Sequence, residues 1–360
     1  MSHVATVTID NTEVDADLTD FPVYIDLSDM PASFWDVVTN GGGDIRVFKD
    51  DDSTELAREV VSCLTASDTG ELHVKFTGTL SSSTDTDIHI YADGTSTEPA
   101  VTATYGRDNV WSAYEAVWHF QDTNWIDSSG NLTALTASTT APSIVTGKIG
   151  NGASFNKSTP NYLSHSGVTF SGSRSWQCWA KHDVLNDDRI MMAQGNAGGL
   201  PRAGSTGATT GVYKLFHGTF DGTDVTAYQN GADATTNRVS GVSSYGYGMR
   251  DKVSLGIVMD INPSTSSTLS FGTRPSNLGT LNFDGILSES RLRDDELSAT
   301  WISTEYNNQN SPSTFYTVTA VSSGTTSIKS LNGLAIASVK SRNGLAKASI
   351  KSINGLSNTS

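Results

Sequence analysis

Ser173-Arg174-Ser175-Trp176-Gln177-Cys178-Trp179-Ala180 puts Trp176, Cys178 and Ala180 on one phase of a two-residue period and Ser175 and Gln177 on the other. Successive side chains point to opposite faces only in an extended strand, so the run predicts a strand with one face in a core. Runs of the same kind recur around it, at 115–120, 212–216, 224–229, 253–257 and 283–292. Glycine-rich stretches at 195–211 and 240–248 separate several of them. Five of the seven tryptophans (Trp111, Trp118, Trp125, Trp176 and Trp179) fall within this part of the chain, enough aromatic mass for a large core. Many short strands joined by irregular loops predict a sandwich or jelly roll over residues 109–318. One helix is expected at 295–306, with Ser298 as its N-cap and Trp301 and Tyr306 turned inward.

Residues 1–108 repeat the pattern in smaller form. Short alternating runs at 4–9, 21–27, 44–48, 72–76 and 87–92 are bounded by Gly, Asp, Ser or Pro, with turns at Asn40-Gly41-Gly42-Gly43 and Lys49-Asp50-Asp51-Asp52-Ser53. They predict a separate N-terminal β-sandwich, with a single helical turn at 31–38.

The end of the chain differs in kind. Residues 327–359 hold three copies of an 11-residue unit, beginning at Ser327, Ser338 and Ser349. Each contains Asn-Gly (Asn332-Gly333, Asn343-Gly344, Asn354-Gly355), the pair that best tolerates the positive φ of a two-residue hairpin turn. A hairpin closed by Asn343-Gly344 sets Val339 opposite Ala348 and Ala337 opposite Ile350, a small apolar face that is marginal alone. A short solenoid is the other reading of the repeat. After Glu305 there is no acidic residue, while Lys329, Lys340, Arg342, Lys347 and Lys351 are all basic. The rest of the chain therefore carries a formal −20 against −15 for the whole. Residues 319–360 are expected to form a short basic β-repeat tail that docks on an acidic partner, a copy of the body included. A solvated edge protected by lysines is the plainer alternative.

The fold class expected is thus all-β. The acidic balance argues against a nucleic-acid binder, and no apolar run is long enough to span a membrane. Met1-Ser2-His3 leads straight into a strand, so no secretory leader is expected in this stretch. Cys63 and Cys178 lie in different predicted domains and are expected to be buried thiols.

Several segments of the second domain resemble the LamG-like, concanavalin-type jelly-roll family. They are Val117-Trp118-His119-Phe120, Asp127-Ser128-Ser129-Gly130-Asn131, 147–155, 175–181, Gly218-Thr219-Phe220-Asp221-Gly222, Tyr228-Gln229-Asn230-Gly231 and 283–292. The segment 305–316 resembles the closing strand found when this module follows an uncharacterised β domain. Residues 1–108 resemble that domain at Asp20-Phe21-Pro22-Val23, 43–48 and 88–92. The pair occurs in bacterial surface proteins and in phage tail or virion proteins, and the tail repeats resemble those of phage structural proteins. The resemblance implies a virion component (tail fibre, head fibre or capsid decoration) that is assembled in the host cytoplasm with other virion proteins and copies of itself, and that touches host glycans. A bacterial surface adhesin or carbohydrate-binding module is the alternative. The family supplies no catalytic residues, so no enzyme is expected.

Chemistry legible in single residues is sparse. A glycosidase of this fold needs paired carboxylates on one strand face. The nearest candidates, Asp284 and Glu289, have an odd spacing that puts them on opposite faces of a regular strand. The seven histidines include no His-x-x-x-His pair, so no zinc site is expected. Neither a phosphate loop nor Gly-x-Ser-x-Gly is present. No cofactor is required, but a structural calcium fits oxygen-rich loops, with Asp127, Asn131, Asp221 and Asp224 as ligands. Sugar stacking needs exposed aromatics with polar neighbours, and Tyr245, Tyr247, Arg250 and Trp125 are the candidates, with a contact to a neighbouring subunit as the equal alternative for the Tyr245/Tyr247 loop. Trp118, Trp176 and Trp179 are expected in the core.

Overall fold

The computed structural model describes residues 2–168, 172–184, 189–194, 202–205, 209–222, 224–236, 247–252, 256–261, 268–275 and 277–321, with six two-residue strands in the tail. It is all-β, as expected, and every strand ladder is antiparallel.

The N-terminal sandwich has a four-stranded sheet in the order Tyr316–Ala320, Ser2–Ile9, Thr86–Ala92, Arg46–Lys49, and a three-stranded one in the order Leu18–Asp26, Thr69–Leu80, Arg58–Leu64. Val7, Ile9, Val23, Ile25, Leu72, Val74, Ile88 and Ile90 alternate inward from the two sheets and close the core with Phe21 and Phe34. The helical turn is Ala32–Trp35.

The expected boundary at residue 318 falls inside a strand of this sandwich. Tyr316–Ala320 pairs with the first strand of the chain, Ile9 opposite Tyr316 and Val7 opposite Val318. The helix Ala299–Asn310 belongs to it as well: Ser298 caps it by accepting from the Trp301 N–H, and Trp301 packs on Phe21 with ring centroids 5.1 Å apart. Trp301, Ile302, Phe315 and Tyr316 all enter the N-terminal core. Burying side chains of this size is worth roughly 2 kcal/mol each, so the chain end closes the first domain after completing the second.

The larger sandwich pairs two eight-stranded sheets. One runs Ala232–Asp233, Val225–Gln229, Tyr213–Phe220, Arg174–His182, Gly285–Arg293, Asn151–Phe155, Ser143–Thr146, with Ala116–Trp118 also on Gly285–Arg293. The other runs Thr235–Thr236, Arg202–Ser205, Gly256–Ile261, Tyr247–Lys252, Arg189–Gln194, Leu269–Phe271, Leu163–His165, Thr136–Ala137. Trp118, Trp176, Cys178, Phe155, Phe216, Phe271 and Leu287 fill the space between them. Cys63 and Cys178 are free buried thiols, and burial pushes them up to about 11 and about 12.

In the tail, Ser330–Leu331 pairs with Leu334–Ala335, Ser341–Arg342 with Leu345–Ala346 and Ser352–Ile353 with Leu356–Ser357. Ser341 opposite Ala346 is the register that an Asn343-Gly344 hairpin requires. Among the described residues the three ladders are separate two-stranded pairs and not one continuous ribbon. Lys329, Asn332, Gly333, Lys340, Asn343, Gly344, Lys347, Lys351, Asn354 and Gly355 lie outside the described residues, and Arg342 is described by its backbone alone.

Candidate functional site

The outer faces of two sheets, one from each sandwich, meet at a junction. Strand Thr69–Leu80 turns Leu72 and Val74 into its own core, so the period-2 pleat sends Glu71 and His73 to the other face. That face is covered by the jelly roll, and Glu71 and His73 are buried. Glu59 reaches the junction from Arg58–Leu64, His119 follows strand Ala116–Trp118, and Glu289 and Arg291 come from Gly285–Arg293.

Glu289 arrives there through a bulge. The pairing steps from Cys178 opposite Ser290 to Trp179 opposite Ser288, leaving Glu289 as the extra residue with φ 49°. A bulge re-aims the side chain it carries. The odd spacing expected to send Glu289 away from function holds only for a regular strand. Asp284, its presumed partner, instead lies 3.2 Å from Lys157 Nζ.

Carboxylates do converge here, around His119 and not as an Asp284–Glu289 pair. His119 Nδ1 lies 2.6 Å from Glu289 Oε2 and 3.4 Å from Glu71 Oε1, and His119 Nε2 lies 3.1 Å from Glu59 Oε2. Arg291 bonds Glu289 at 2.7 Å and Glu305 at 2.5 Å, and His217 Nε2 lies 2.9 Å from Glu305. Glu59 also accepts from Ser128 Oγ at 2.7 Å and from the Trp111 indole N–H. Burial alone would push the His119 imidazole down, but Glu289 and Glu59 outweigh it and hold it well above the usual histidine range. Burial would likewise raise Glu289 and Glu305; for Glu289 the cations His119 and Arg291 outweigh it, and for Glu305 Arg291 and a His217 hydrogen bond, so both carboxyls fall below the usual range. Glu71 goes the other way, because burial dominates there and the nearby Glu289 and Glu59 add to it. His73 is driven well down by burial.

A cleft of about 330 Å³ opens beside this junction. His119, Glu59 and Ser128 line it together with Phe120, Gln121, Asp122, Trp125 and Ile126 from the loop after Ala116–Trp118, and Val60, Val61, Glu98, Val101 and Arg107 from the other side. Phe120 and Trp125 sit at φ 53° and 52°. Bulky residues rarely adopt that backbone conformation, and it persists only where the surroundings impose it. The side-chain oxygen of Gln121 is buried with no donor among the described residues. Apolar walls with a few convergent polar groups, at this volume, are the form of a small-molecule site.

The sequence candidates fall unevenly around this cleft. Trp125 lines it, but it is 5% exposed and packs edge-on to Phe120 at 6.4 Å, so it forms a wall and not the exposed stacking platform expected. Asp127 is not free for calcium. Its Oδ1 accepts from the N–H groups of Val117 and Ser129, and its Oδ2 from Ser129 Oγ and the Leu132 N–H, at 2.7–3.0 Å. The Asn131 amide donates to the Tyr114 carbonyl, so this loop is closed by its own hydrogen bonds and does not fit the ion. Asp221 and Asp224 lie far off in sequence, on the turn between Tyr213–Phe220 and Val225–Gln229, where Asp221 accepts the Asp224 N–H at 2.7 Å. Tyr245 lies outside the described residues; Tyr247 and Arg250 are placed in strand Tyr247–Lys252 by backbone alone. The residues the sequence reading missed are Glu59, Glu71, His73 and His119, which form no short motif along the chain. The one available signal was polar alternation on both sandwiches, which marks two outer faces able to cover one another.

No family model matches the sequence. No curated protein matches it either. Among solved structures, the chain is similar to domain 4 of AbnA, a GH43 extracellular arabinanase from Geobacillus stearothermophilus in complex with arabinotriose, with 17% identity over 54% of this chain and 98% of that one and a TM-score of 0.41. The botulinum neurotoxin type G receptor binding domain gives 14%, 54% of this chain, 51% of that one and 0.34. Trypanosoma rangeli sialidase with the inhibitor DANA gives 11%, 75% of this chain, 45% of that one and 0.34. This chain thus spans about half of the neurotoxin domain and less than half of the sialidase. All three scores are low, and the sandwich assignment rests on the strand pairing itself. Among the described residues no helix is long and apolar enough to cross a membrane.

Proposed function

We propose that the chain is a non-enzymatic adhesion protein that holds a saccharide in the cleft between its two sandwiches, as an outward-facing component of a phage particle. The observation that carries the binding role is the cleft itself: strained aromatic walls at Phe120 and Trp125, with the unpaired Gln121 oxygen, Asp122 and Glu59 converging on one space. Hydroxyl-rich ligands are recognised by such groups at fixed positions beside an apolar wall. The particle setting is supported by the resemblance of the three basic repeats to those of phage structural proteins; residues 1–108 resemble a domain that occurs in bacterial surface proteins as well as in virion proteins. In that setting the tail, with five cations, docks on an acidic partner subunit.

A glycoside hydrolase is the second reading, favoured by Glu59 and Glu289 both reaching His119. Hydrolysis needs one carboxyl group to protonate the leaving oxygen and a second to attack or to activate water. Both oxygens of Glu59 already accept hydrogen bonds, and Glu289 does not line the cleft, so neither meets that requirement. A glycan array probed with the full chain tests both readings. Retention of a defined set of glycans without release of reducing ends supports adhesion; turnover that is lost in Glu59→Gln supports hydrolysis. Deletion of residues 327–360 is expected to abolish incorporation into particles while the body stays folded by circular dichroism, and normal incorporation would contradict the docking role.

A further inference from the structure

We propose that Glu71, His73, His119 and Glu289 form a buried site for one divalent transition-metal cation, which ties the N-terminal sandwich to the jelly roll. Two ligands come from each sandwich, and one donor atom from each of the four lies within 4.8 Å of all the others. The spacings that can be read singly are 2.9 Å between His73 Nε2 and Glu71 Oε1, 3.4 Å between His119 Nδ1 and Glu71 Oε1, and 2.6 Å between His119 Nδ1 and Glu289 Oε2. A tetrahedral ion with bonds of about 2.0–2.2 Å sets its donors about 3.3–3.6 Å apart, so shifts of about an ångström or less turn these contacts into a coordination shell. Two imidazoles with two carboxylates form a donor set that suits zinc and its neighbours better than calcium.

Three further observations point the same way. Glu71 Oε2 and His73 Nδ1 are buried and have no hydrogen-bond partner among the described residues, which is unusual for ionisable groups at a sheet junction. The supporting shell is already built: His119 Nε2 faces Glu59 Oε2 at 3.1 Å, the carboxylate–histidine–metal arrangement, and Arg291 holds Glu289 Oε1 at 2.7 Å. Charge is the third. Four carboxyl groups, Glu59, Glu71, Glu289 and Glu305, are buried here with Arg291 and His119 as the groups able to carry positive charge beside them. A divalent ion adds positive charge among these carboxyl groups, and the cleft lined by Glu59 and His119 gives it a path in. The sequence hides the site because its ligands stand 2, 46 and 170 positions apart along the chain and form no short motif.

The test uses the full chain, stripped with a chelator, incubated with zinc chloride and dialysed. One zinc per chain by elemental analysis is expected, with a rise in Tm of about 3 °C or more over the stripped protein. Cobalt(II) should give the intense visible bands of a four-coordinate ion. His73→Gln keeps a donor to Glu71 and should lose the zinc while staying folded. If that variant does not fold, the stoichiometry and cobalt spectrum of the wild type decide alone. His89→Ala is the control, because the surface group His3, Asp52 and His89 is the other described cluster able to hold an ion. Zinc retained by His73→Gln but lost from His89→Ala overturns the proposal, as does a wild type that holds no stoichiometric zinc, or one that is stabilised by calcium alone.

Discussion

The jelly-roll interior and the junction between the sandwiches are buried to the same degree and built from opposite chemistry. Inside, Trp176, Cys178, Phe155, Phe216 and Leu287 belong to one apolar cluster, and apolar side chains of about the right volume would satisfy most of its packing. At the junction, Glu59, Glu71, His73, His119, Glu289 and Arg291 are just as dry, and each depends on a named partner. An apolar interior can lose a group and relax. A buried ionic network that loses one member leaves the others charged and unpaired. The junction's ion pairs cross between the sandwiches, and the cleft opens beside them.

Truncation should separate the two regions most clearly. Glu289→Ala strands His119 and Arg291 without their shared carboxylate, and a loss of about 3–5 kcal/mol in denaturant unfolding is expected. Phe155→Ala in the jelly-roll core should cost a similar amount, about 3–5 kcal/mol. The two differ in that the Glu289→Ala loss should vary with pH and the Phe155→Ala loss should not. Equal pH profiles for both variants would remove the distinction between the regions.

The pH dependence itself has a sign fixed by the shifts. Burial pushes Glu71 from 4.5 up to about 8, so its contribution is complete below pH 4.5 and is lost as pH rises through 8. His119, raised from 6.5, adds a loss in the same direction above pH 6.5. Glu289 and Glu305, held below 4.5, act oppositely, and their contribution is lost as pH falls below that value. Glu71→Gln mimics the protonated acid. In the presence of chelator it should remove a few kcal/mol of the stability decline between pH 4.5 and 8, read as Tm against pH. An unchanged slope would mean Glu71 is ionised in the folded protein.

Asp127→Ala gives a smaller effect, about 1–3 kcal/mol, since it leaves the Val117, Ser129 and Leu132 N–H groups without their acceptor. Because Asp127 closes a loop, calcium should not alter Tm in either the wild type or the variant. At the surface, Asp295→Asn removes a partner of Arg293 that is 51% exposed and should change stability by no more than about 0.5 kcal/mol.

Where the sequence was legible, the reason is periodicity. Trp176, Cys178 and Ala180 alternate and form a core strand, and Ser298 before Ala299–Asn310 caps the helix as its side chain requires. The strand Arg58–Leu64 escaped notice because a bulge between Val60 and Ser62 breaks its alternation and Arg58 and Glu59 look solvated. Glu289 was misplaced for the same reason, since a period-2 count fails at the residue that a bulge inserts. The cleft was beyond reach from sequence, because its walls come from segments about 60 residues apart whose meeting depends on tertiary packing; Glu59 and His119 are an example.

Calorimetric titration of the best glycan from the array, into the wild type and into Ile126→Arg, tests the central claim most directly. Ile126 lines the cleft and is 49% exposed, so a larger cation there fills the opening without disturbing a core. Saturable binding by the wild type, weakened at least about tenfold (about 1.4 kcal/mol) in Ile126→Arg at unchanged Tm, is the predicted result. Equal affinity in the two proteins would contradict the cleft as the binding site.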